Sequence, residues 1–307
     1  MRPIPEQWRQ TILAIYDQQG AQWLSELSTV IAHYEAEWKI KVGPPFTLSY
    51  NYVAPAEHAD GTALVFKLSL PGQELRSELA ALNYYDGQGA IRLVASDAEQ
   101  GALLLERAAP GQELSTVRDD EVATRTAAAV IRRLHKNKRW DKGTISPFPS
   151  VADWAQGLTK LRQMYNGSTG PLPEHAVQQA ERCYAELLSS TQEWTLLHGD
   201  LHHGNILASR RESWLAIDPK GVIGEAEYEV IPFLLNEIPA TLEKAIAVTE
   251  RRVSLFCKEL NLNRDRLLDW AYAHSVLSAW WFVEDSADGL EDALFRISMF
   301  EQLRLQR

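Results

Sequence analysis

Residues 198–205 read His-Gly-Asp-Leu-His-His-Gly-Asn, and residues 217–219 read Ile-Asp-Pro. Two carboxylates and one amide, Asp200, Asn205 and Asp218, stand at fixed offsets in these stretches. Phosphoryl transfer needs a carboxylate near the acceptor hydroxyl, and Mg²⁺ prefers hard oxygen ligands. The pattern therefore predicts that Asp200 is the catalytic base, which orients a hydroxyl group and accepts its proton. The same pattern predicts that Asn205 and Asp218 are metal ligands that hold Mg²⁺ together with a nucleotide.

Three histidines in the same stretch, His198, His202 and His203, leave a second interpretation open. Together with Asp200 they could bind zinc, which uses such clusters of His and Asp, and the protein would then be a zinc hydrolase. That interpretation gives Asn205 and the second carboxylate no role. We therefore expect the first histidine to brace the loop backbone and the other two to be solvated or to line a substrate cleft.

The composition is that of a soluble globular protein. Of the 307 residues, 45% are hydrophobic and 23% are charged, which is ordinary for such proteins. No apolar run approaches the roughly 20 residues of a membrane span, and Met1–Glu6 lacks the apolar segment of a signal peptide. The two cysteines, Cys183 and Cys257, lie far apart, which favours a reducing compartment. We expect a cytoplasmic protein with no membrane partner.

The charge distribution argues against a nucleic-acid partner. The formal net charge is -10, whereas a general nucleic-acid binder carries a concentrated basic patch. The only cationic cluster covers residues 132–139, and it is expected to be the charged end of a helix, where cations oppose the helix dipole. An acidic surface suits a cationic small molecule.

Hydrophobic periodicity divides the chain into two parts and predicts an α+β fold. The first part, residues 1–106, is predicted to be a lobe with an N-terminal helical segment and an antiparallel sheet. The second part, residues 107–307, is predicted to be a larger and mostly helical lobe. Helices are predicted at 6–38 (divided at Gly20), 72–85, 119–136, 173–190 and within 240–307. Strands are predicted at 40–42, 47–53, 64–68, 91–95, 102–106, 195–197, 206–207 and 214–217.

The first quoted stretch resembles the catalytic loop of protein kinases, whose motif is H-R-D-L-x-x-x-N, with Gly199 in place of the arginine. Asp218 matches the aspartate of the D-F-G motif, although Pro-Lys replaces Phe-Gly. The chain is similar to the aminoglycoside phosphotransferases, and most similar to their streptomycin 6-kinase and hydroxyurea-resistance branch. The resemblance runs from about Pro45 to the C-terminus and is carried by residues 198–207, 217–225, 265–272 and 277–281.

This resemblance implies a two-lobed protein-kinase-like fold with a small β-rich N-lobe and a larger helical C-lobe. It also implies an ATP-dependent (or GTP-dependent) kinase of a small molecule, with Mg²⁺ as its metal cofactor. Kinase folds place a strand lysine against the nucleotide phosphates and pair it with a helix glutamate. Lys67 is therefore expected to bind the cofactor with Glu78 as its partner, and Glu74, one turn earlier, is the rival.

Further expectations follow from the same resemblance. The segment 102–108 resembles the hinge between the lobes, where the backbone C=O of Glu106 and the N–H of Ala108 would bind adenine. No G-x-G-x-x-G loop is present, so the residues that cover the phosphates are not assigned. Related kinases carry an acid near Glu229 that supports the catalytic loop.

The substrate is expected to be a small and cationic molecule with a hydroxyl group, of the streptomycin type. Glu284 and Asp285 could form an anionic lip that binds its ammonium or guanidinium groups, or they could be a solvated helix end. Two alternatives share most of the predicted site. One is a kinase of a housekeeping amino alcohol or sugar, and the other is a nucleotide-binding module that transfers nothing.

Overall fold

A computed structural model of the chain describes residues 4–136, 140, 146–285 and 289–306. Three positions of the cationic cluster, 137–139, therefore lie outside the described residues, among them Lys138 and Arg139. The helix that precedes them ends at Leu134, and Arg132 and Arg133 lie in its last turn. Among the described residues, no helix is long and apolar enough to cross a membrane.

The N-terminal lobe is built on a five-stranded antiparallel sheet in the order β1-β2-β3-β5-β4. Its strands are β1 (Ile40–Val42), β2 (Tyr52–His58), β3 (Ala63–Leu68), β4 (Leu93–Asp97) and β5 (Ala102–Glu106). The helix α2 (Gln73–Tyr85) follows β3. In β3, Lys67 lies opposite Val53 of β2 and Leu103 of β5. A central strand therefore carries the lysine that the sequence singles out.

The position of β2 differs from the prediction of a strand at 47–53. The strand begins at Tyr52 and runs through Pro55 to His58. Proline is disfavoured inside a sheet because it has no N–H group to donate. Here Pro55 lies one residue beyond the last pair with β1, Val42 with Ala56, so its missing donor is tolerated.

The N-terminal helix α1 (Glu6–Glu37) bends at Asp17, which has non-helical φ and ψ of 46° and -123°. The predicted division at Gly20 is therefore three residues too late. Gly20 has another role, because a Cβ atom there would lie 2.7 Å from the carbonyl oxygen of Ile12. The glycine lets the two arms approach closely, and the rings of Trp8 and Trp23 pack edge to face at 5.7 Å.

The C-terminal lobe is mostly helical, which confirms the predicted fold class. Its helices are α3 (Asp120–Leu134), α4 (Val151–Met164), α5 (Glu174–Ser190), α6 (Ile231–Leu234), α7 (Leu242–Leu260), α8 (Arg264–Glu284) and α9 (Leu290–Leu305). Two small sheets lie beside them, with strands β6 (Pro110–Glu113), β7 (Thr195–Leu197), β8 (Ile206–Ser209), β9 (Ser213–Ala216) and β10 (Val222–Gly224). β6, β8 and β9 form one sheet, and β7 pairs with β10. The boundary between residues 106 and 107 stays a prediction.

Helix α8 is the centre of the C-terminal core. Twelve of its residues are buried, among them Trp270 and Trp280. Helix α4 packs against it through Gly157, where a Cβ atom would lie 2.6 Å from Leu277 Cδ1 and 3.1 Å from Trp280 Cδ1. The two helices are therefore closer than any larger residue at this position allows.

We predict that Gly157→Ala lowers the free energy of unfolding by about 1–3 kcal/mol, because overpacking against α8 outweighs the helix propensity of alanine. Urea denaturation measures the change. Thr159→Ala, an exposed position on the same helix, is the control and is expected to stay within about 0.5 kcal/mol of the wild type. Equal or greater stability of Gly157→Ala would contradict the close packing of α4 on α8.

Candidate active site

Residues 198–205, the loop that resembles the catalytic loop of kinases and is called by that name below, are held in place by one buried carboxylate. Glu229 has no exposed surface, and it accepts hydrogen bonds from the backbone N–H groups of His198 (2.8 Å) and Gly199 (3.2 Å). His135, at the end of α3, lies 2.8 Å from the same carboxylate through its Nε2. A buried carboxylate is stable only when such partners satisfy it. Glu229 therefore supports the loop, as the resemblance to related kinases implied.

The ring of His198 connects the loop to the segment that follows β9. Its Nε2 lies 2.8 Å from the carbonyl oxygen of Ile217, and its Nδ1 accepts from the N–H of Asp200 at 3.3 Å. Burial lowers the pKa of His198, in keeping with a neutral ring that donates from Nε2 and accepts at Nδ1. This histidine braces the loop backbone and is not a free metal ligand.

Gly199, at the position of the kinase arginine, is required by the backbone. Its φ is +81°, and a Cβ atom there would lie 2.9 Å from Val222 and 3.2 Å from Trp154. Glycine adopts this left-handed conformation without strain. The replacement of arginine by glycine therefore follows from a tight turn that is closed by neighbouring side chains.

The other two histidines have separate surroundings. His202 Nδ1 accepts a hydrogen bond from the N–H of Gly204 at 3.1 Å, and the ring of His203 stacks on Phe233 at 3.7 Å. Burial lowers the pKa of His203 to about 3. Within residues 4–136, 140, 146–285 and 289–306, no group of three or more His, Cys, Asp or Glu side chains could hold a metal ion. The geometry does not favour the zinc interpretation.

Asp200 and Asn205 are held together across the loop. The amide Nδ2 of Asn205 donates to the backbone carbonyl of Asp200 at 2.8 Å and lies 3.5 Å from its carboxylate. Because the amide nitrogen is used in this way, the amide oxygen is left available to a metal ion. Burial raises the pKa of Asp200, and a raised pKa makes the carboxylate a better proton acceptor.

Lys67 joins the sheet to α2 and to the segment after β9 that carries Asp218. Its ammonium group forms ion pairs with Glu78 of α2, at 2.7 Å, and with Asp218. The Lys67 side chain is only 5% exposed. Burial would lower the pKa of Lys67, but its two carboxylate partners outweigh burial and raise it. Burial would likewise raise the pKa of Asp218, but nearby lysines lower it to about 2, so both groups are charged.

The rival glutamate has a different partner. Glu74 forms an ion pair with Lys220, the lysine of the Asp-Pro-Lys sequence. Glu74 and Glu78 are four residues apart on α2 and therefore share one face of the helix. This face carries two glutamates that bind two different lysines.

The hinge prediction falls at the end of β5. The carboxylate of Glu106 is occupied by Arg211, at 2.8 Å, and by the N–H of Arg92, at 3.0 Å. Ala108 is 9% exposed and packs in an apolar cluster with Leu105. Three partly buried side chains from β3, β8 and the segment before Asp218 pack against this cluster, namely Val65, Leu207 and Ile217. Whether the Glu106 C=O and the Ala108 N–H bind adenine stays a prediction.

A cavity of about 740 Å³ opens in front of Asp200. Asp285 lines this cavity, together with the aromatic side chains Trp154 and Trp281. Glu284 is not among the lining residues, and its carboxylate lies 3.8 Å from Lys160. The structure therefore brings Asp285 to the cavity but places Glu284 beside a lysine.

Sequence reasoning missed several residues around Asp200. Tyr16, at the bend of α1, lines a small cavity with Lys67 and Asp218. Tyr50, Lys220 and Arg296 line the larger cavity. No local pattern marks Tyr16, Tyr50 or Arg296, since each depends on how distant segments pack. Lys220 did carry a signal, because it stands where the kinase motif has glycine.

The known proteins that this chain resembles are kinases and phosphotransferases. The family described as aminoglycoside/hydroxyurea antibiotic resistance kinase matches residues 38–286. A streptomycin 6-kinase of Streptomyces glaucescens is 28% identical, over 94% of each chain. A hydroxyurea phosphotransferase of Kitasatospora aureofaciens is 32% identical, over 89% of this chain and 78% of the relative.

Among solved structures, a thermostable mutant of an aminoglycoside phosphotransferase in ternary complex with ADP and hygromycin B superposes with a TM-score of 0.65. The alignment covers 90% of this chain and 98% of that one, at 12% identity, and it establishes a shared protein-kinase-like fold. The family match spans most of the chain and contains the whole catalytic loop. The chain therefore belongs to the aminoglycoside/hydroxyurea antibiotic resistance kinases.

Proposed function

We propose that this protein is an ATP-dependent kinase that phosphorylates a hydroxyl group of an aminoglycoside of the streptomycin type and so confers resistance to it. The observation that carries the proposal is the position of Asp200. Its carboxylate faces a cavity of drug-binding size, and it belongs to the same loop as Asn205. Asp218 and the buried Lys67 complete the group of proposed catalytic and nucleotide-binding residues. The fold and the family support nucleotide use, and ATP as the specific nucleotide belongs to the proposal.

The chemistry assigned to the side chains is positioning and proton transfer. Asp200 accepts a hydrogen bond from the acceptor hydroxyl and takes its proton as the new oxygen–phosphorus bond forms. Its raised pKa suits this role. Because phosphoryl transfer asks for little covalent chemistry, orientation of the hydroxyl is the main contribution of the loop.

Mg²⁺ is the metal that the donor set fits. A carboxylate from Asp218 and the amide oxygen of Asn205 are hard ligands, and Mg²⁺ is commonly held by one or two such protein groups and by phosphates. Bound there, the ion would neutralise charge on the nucleotide phosphates. Lys67, which is held by Glu78, adds a fixed positive charge to the same region.

For adenine, we assign the backbone C=O of Glu106 and the N–H of Ala108 as hydrogen-bonding groups. The support is the apolar cluster around Leu105 and Ala108, against which Val65 from the N-terminal sheet and Ile217 from the C-terminal lobe also pack. Apolar side chains with a few polar groups among them are typical of a cofactor site.

The cavity favours an aminoglycoside over hydroxyurea as the acceptor. A volume of about 740 Å³ is in the range of sites for drug-sized ligands, whereas hydroxyurea has only a few heavy atoms. Trp154 and Trp281 line the cavity beside Asp285. Aromatic faces and a carboxylate together bind guanidinium and ammonium groups, which streptomycin-type molecules carry.

The direct test is a screen of acceptors with purified protein, ATP and Mg²⁺. ADP release and the mass of the product are measured with streptomycin, other aminoglycosides, hydroxyurea, choline and simple sugars. We expect one phosphoryl group to be added to streptomycin and little transfer to the others. Transfer only to an amino alcohol or a sugar would replace the proposal by a housekeeping kinase, and transfer to hydroxyurea alone would reverse the argument from cavity size.

We predict that Asp200→Asn lowers kcat by at least about 100-fold, because it removes the proton acceptor. Affinity for AMP-PNP, measured by calorimetry, is expected to change little, because the carboxylate is assigned to the acceptor. A variant that keeps the wild-type kcat would remove Asp200 from the role of base.

Asp285→Asn is predicted to raise the KM for streptomycin by about tenfold, equivalent to about 1.4 kcal/mol, because it removes an anionic partner of a cationic group. Steady-state kinetics at saturating ATP measures the effect. Glu284→Gln is the matched variant one residue away and is expected to raise KM less. A larger effect at Glu284 would show that the lip is formed by that residue instead.

A further inference from the structure

Lys220 lies between two cavities. It lines a small cavity of about 30 Å³ with Lys67 and Asp218, and it also lines the 740 Å³ cavity with Asp200. On the proposed assignments, nucleotide phosphates approach from the side of Lys67, and the acceptor hydroxyl approaches from the side of Asp200. The Lys220 side chain therefore lies between the proposed positions of the nucleotide phosphates and of the acceptor hydroxyl, where a phosphoryl group would pass from one to the other.

Hydrogen bonds fix the backbone of Lys220, whereas its side chain can move. The N–H groups of Lys220 and Gly221 both donate to the carbonyl oxygen of His198, at 2.8 Å and 3.2 Å. The lysine is thus tied to the same loop that carries Asp200. A side chain that extends from this fixed point has a long flexible stem with a compact charge at its end.

The present partner of the Lys220 ammonium group is Glu74. The Glu74 side chain is 65% exposed, whereas the side chain of Glu78, the partner of Lys67, is 7% exposed. Exposed ion pairs contribute little to stability because water and salt screen them. The pair between Lys220 and Glu74 can therefore be exchanged for a stronger anion, while the buried pair of Lys67 stays in place.

We propose that Lys220 is a catalytic residue, whose ammonium group leaves Glu74 and binds the oxygens of the phosphoryl group during its transfer. This inference rests on the proposed kinase function. In the step, a bond forms between the acceptor oxygen and the γ-phosphorus, and the bond from that phosphorus to the β,γ-bridging oxygen breaks. The electron pair of the broken bond stays on ADP, and the proton of the hydroxyl moves to Asp200. Lys220 keeps its own proton and stabilises negative charge on the oxygens in transit.

A purely structural role is the competing explanation. In that case Lys220 serves only to bind Glu74 and so to fix α2 against the catalytic loop. Both explanations predict that loss of Lys220 does harm, but only the structural one predicts equal harm from loss of the charge on Glu74. The two explanations also differ over the γ-phosphate, which the structural role does not involve.

The experiment compares Lys220→Met, Lys220→Arg and Glu74→Gln in the full-length protein with Mg²⁺. Single-turnover transfer to the acceptor is measured at saturating ATP, with affinities for ADP and AMP-PNP. We expect Lys220→Met to slow transfer by about 100-fold or more. We also expect it to lower the affinity for AMP-PNP about tenfold more than the affinity for ADP, which corresponds to the loss of one charge-assisted hydrogen bond. Lys220→Arg should recover part of the transfer rate. The transfer rate of Glu74→Gln should stay at least about tenfold higher than that of Lys220→Met.

Several results would overturn the inference. Equal losses in Lys220→Met and Glu74→Gln, with an unchanged ratio of AMP-PNP to ADP affinity, would assign Lys220 a structural role. Wild-type transfer in Lys220→Met would assign it no role. If the wild type phosphorylates no acceptor, the proposed function fails by itself, and the ratio of nucleotide affinities still decides whether Lys220 binds the γ-phosphate. Thermal melts of each variant show whether a loss comes from unfolding.

Discussion

The ion pairs of one buried ammonium group hold the site together. Lys67 comes from the central strand β3, Glu78 from α2, and Asp218 from the segment after β9, so the two contacts join three elements of both lobes. A buried lysine is unfavourable without carboxylate partners, and a buried glutamate is unfavourable without a cation. The cluster therefore fixes where Asp218 lies relative to the sheet, and the predicted metal and phosphate positions depend on it.

The position of the catalytic loop depends on a second buried charge, the carboxylate of Glu229. Glu229 accepts two backbone N–H groups of the loop and lies against His135, while the ring of His198 connects the loop to Ile217. These contacts fix Asp200 where its side chain lines the cavity of about 740 Å³. The loop is thus placed by buried polar contacts, and the cavity above it is lined by side chains from α2, α4, α8 and α9. On the proposed function, reaction type and acceptor choice accordingly reside in different parts of the molecule.

The features that could be predicted from the sequence are those that depend on residues close together in the chain. Lys67 and Glu78 were found through the resemblance to kinases, which implies a strand lysine paired with a helix glutamate. Helix α4 was missed, although Ser150 and Asp153 form a capping box that is readable as a start signal. The pair between Glu74 and Lys220 was not predictable, since 146 positions separate them and only the packing of the lobes brings them together. The bend of α1 was placed at Gly20, whereas the helix bends at Asp17.

The measurement that tests this account most directly is nucleotide affinity in the absence of the Lys67 charge. The affinity for AMP-PNP with Mg²⁺ is measured for the wild type, for Lys67→Met and for the double variant Lys67→Met/Glu78→Leu, in which no buried carboxylate of α2 is left unpaired. The account predicts at least about tenfold weaker binding in both folded variants, the loss of one charge-assisted phosphate contact. Wild-type affinity in either variant would contradict it, because the phosphates would then bind without the cluster on which the site is built.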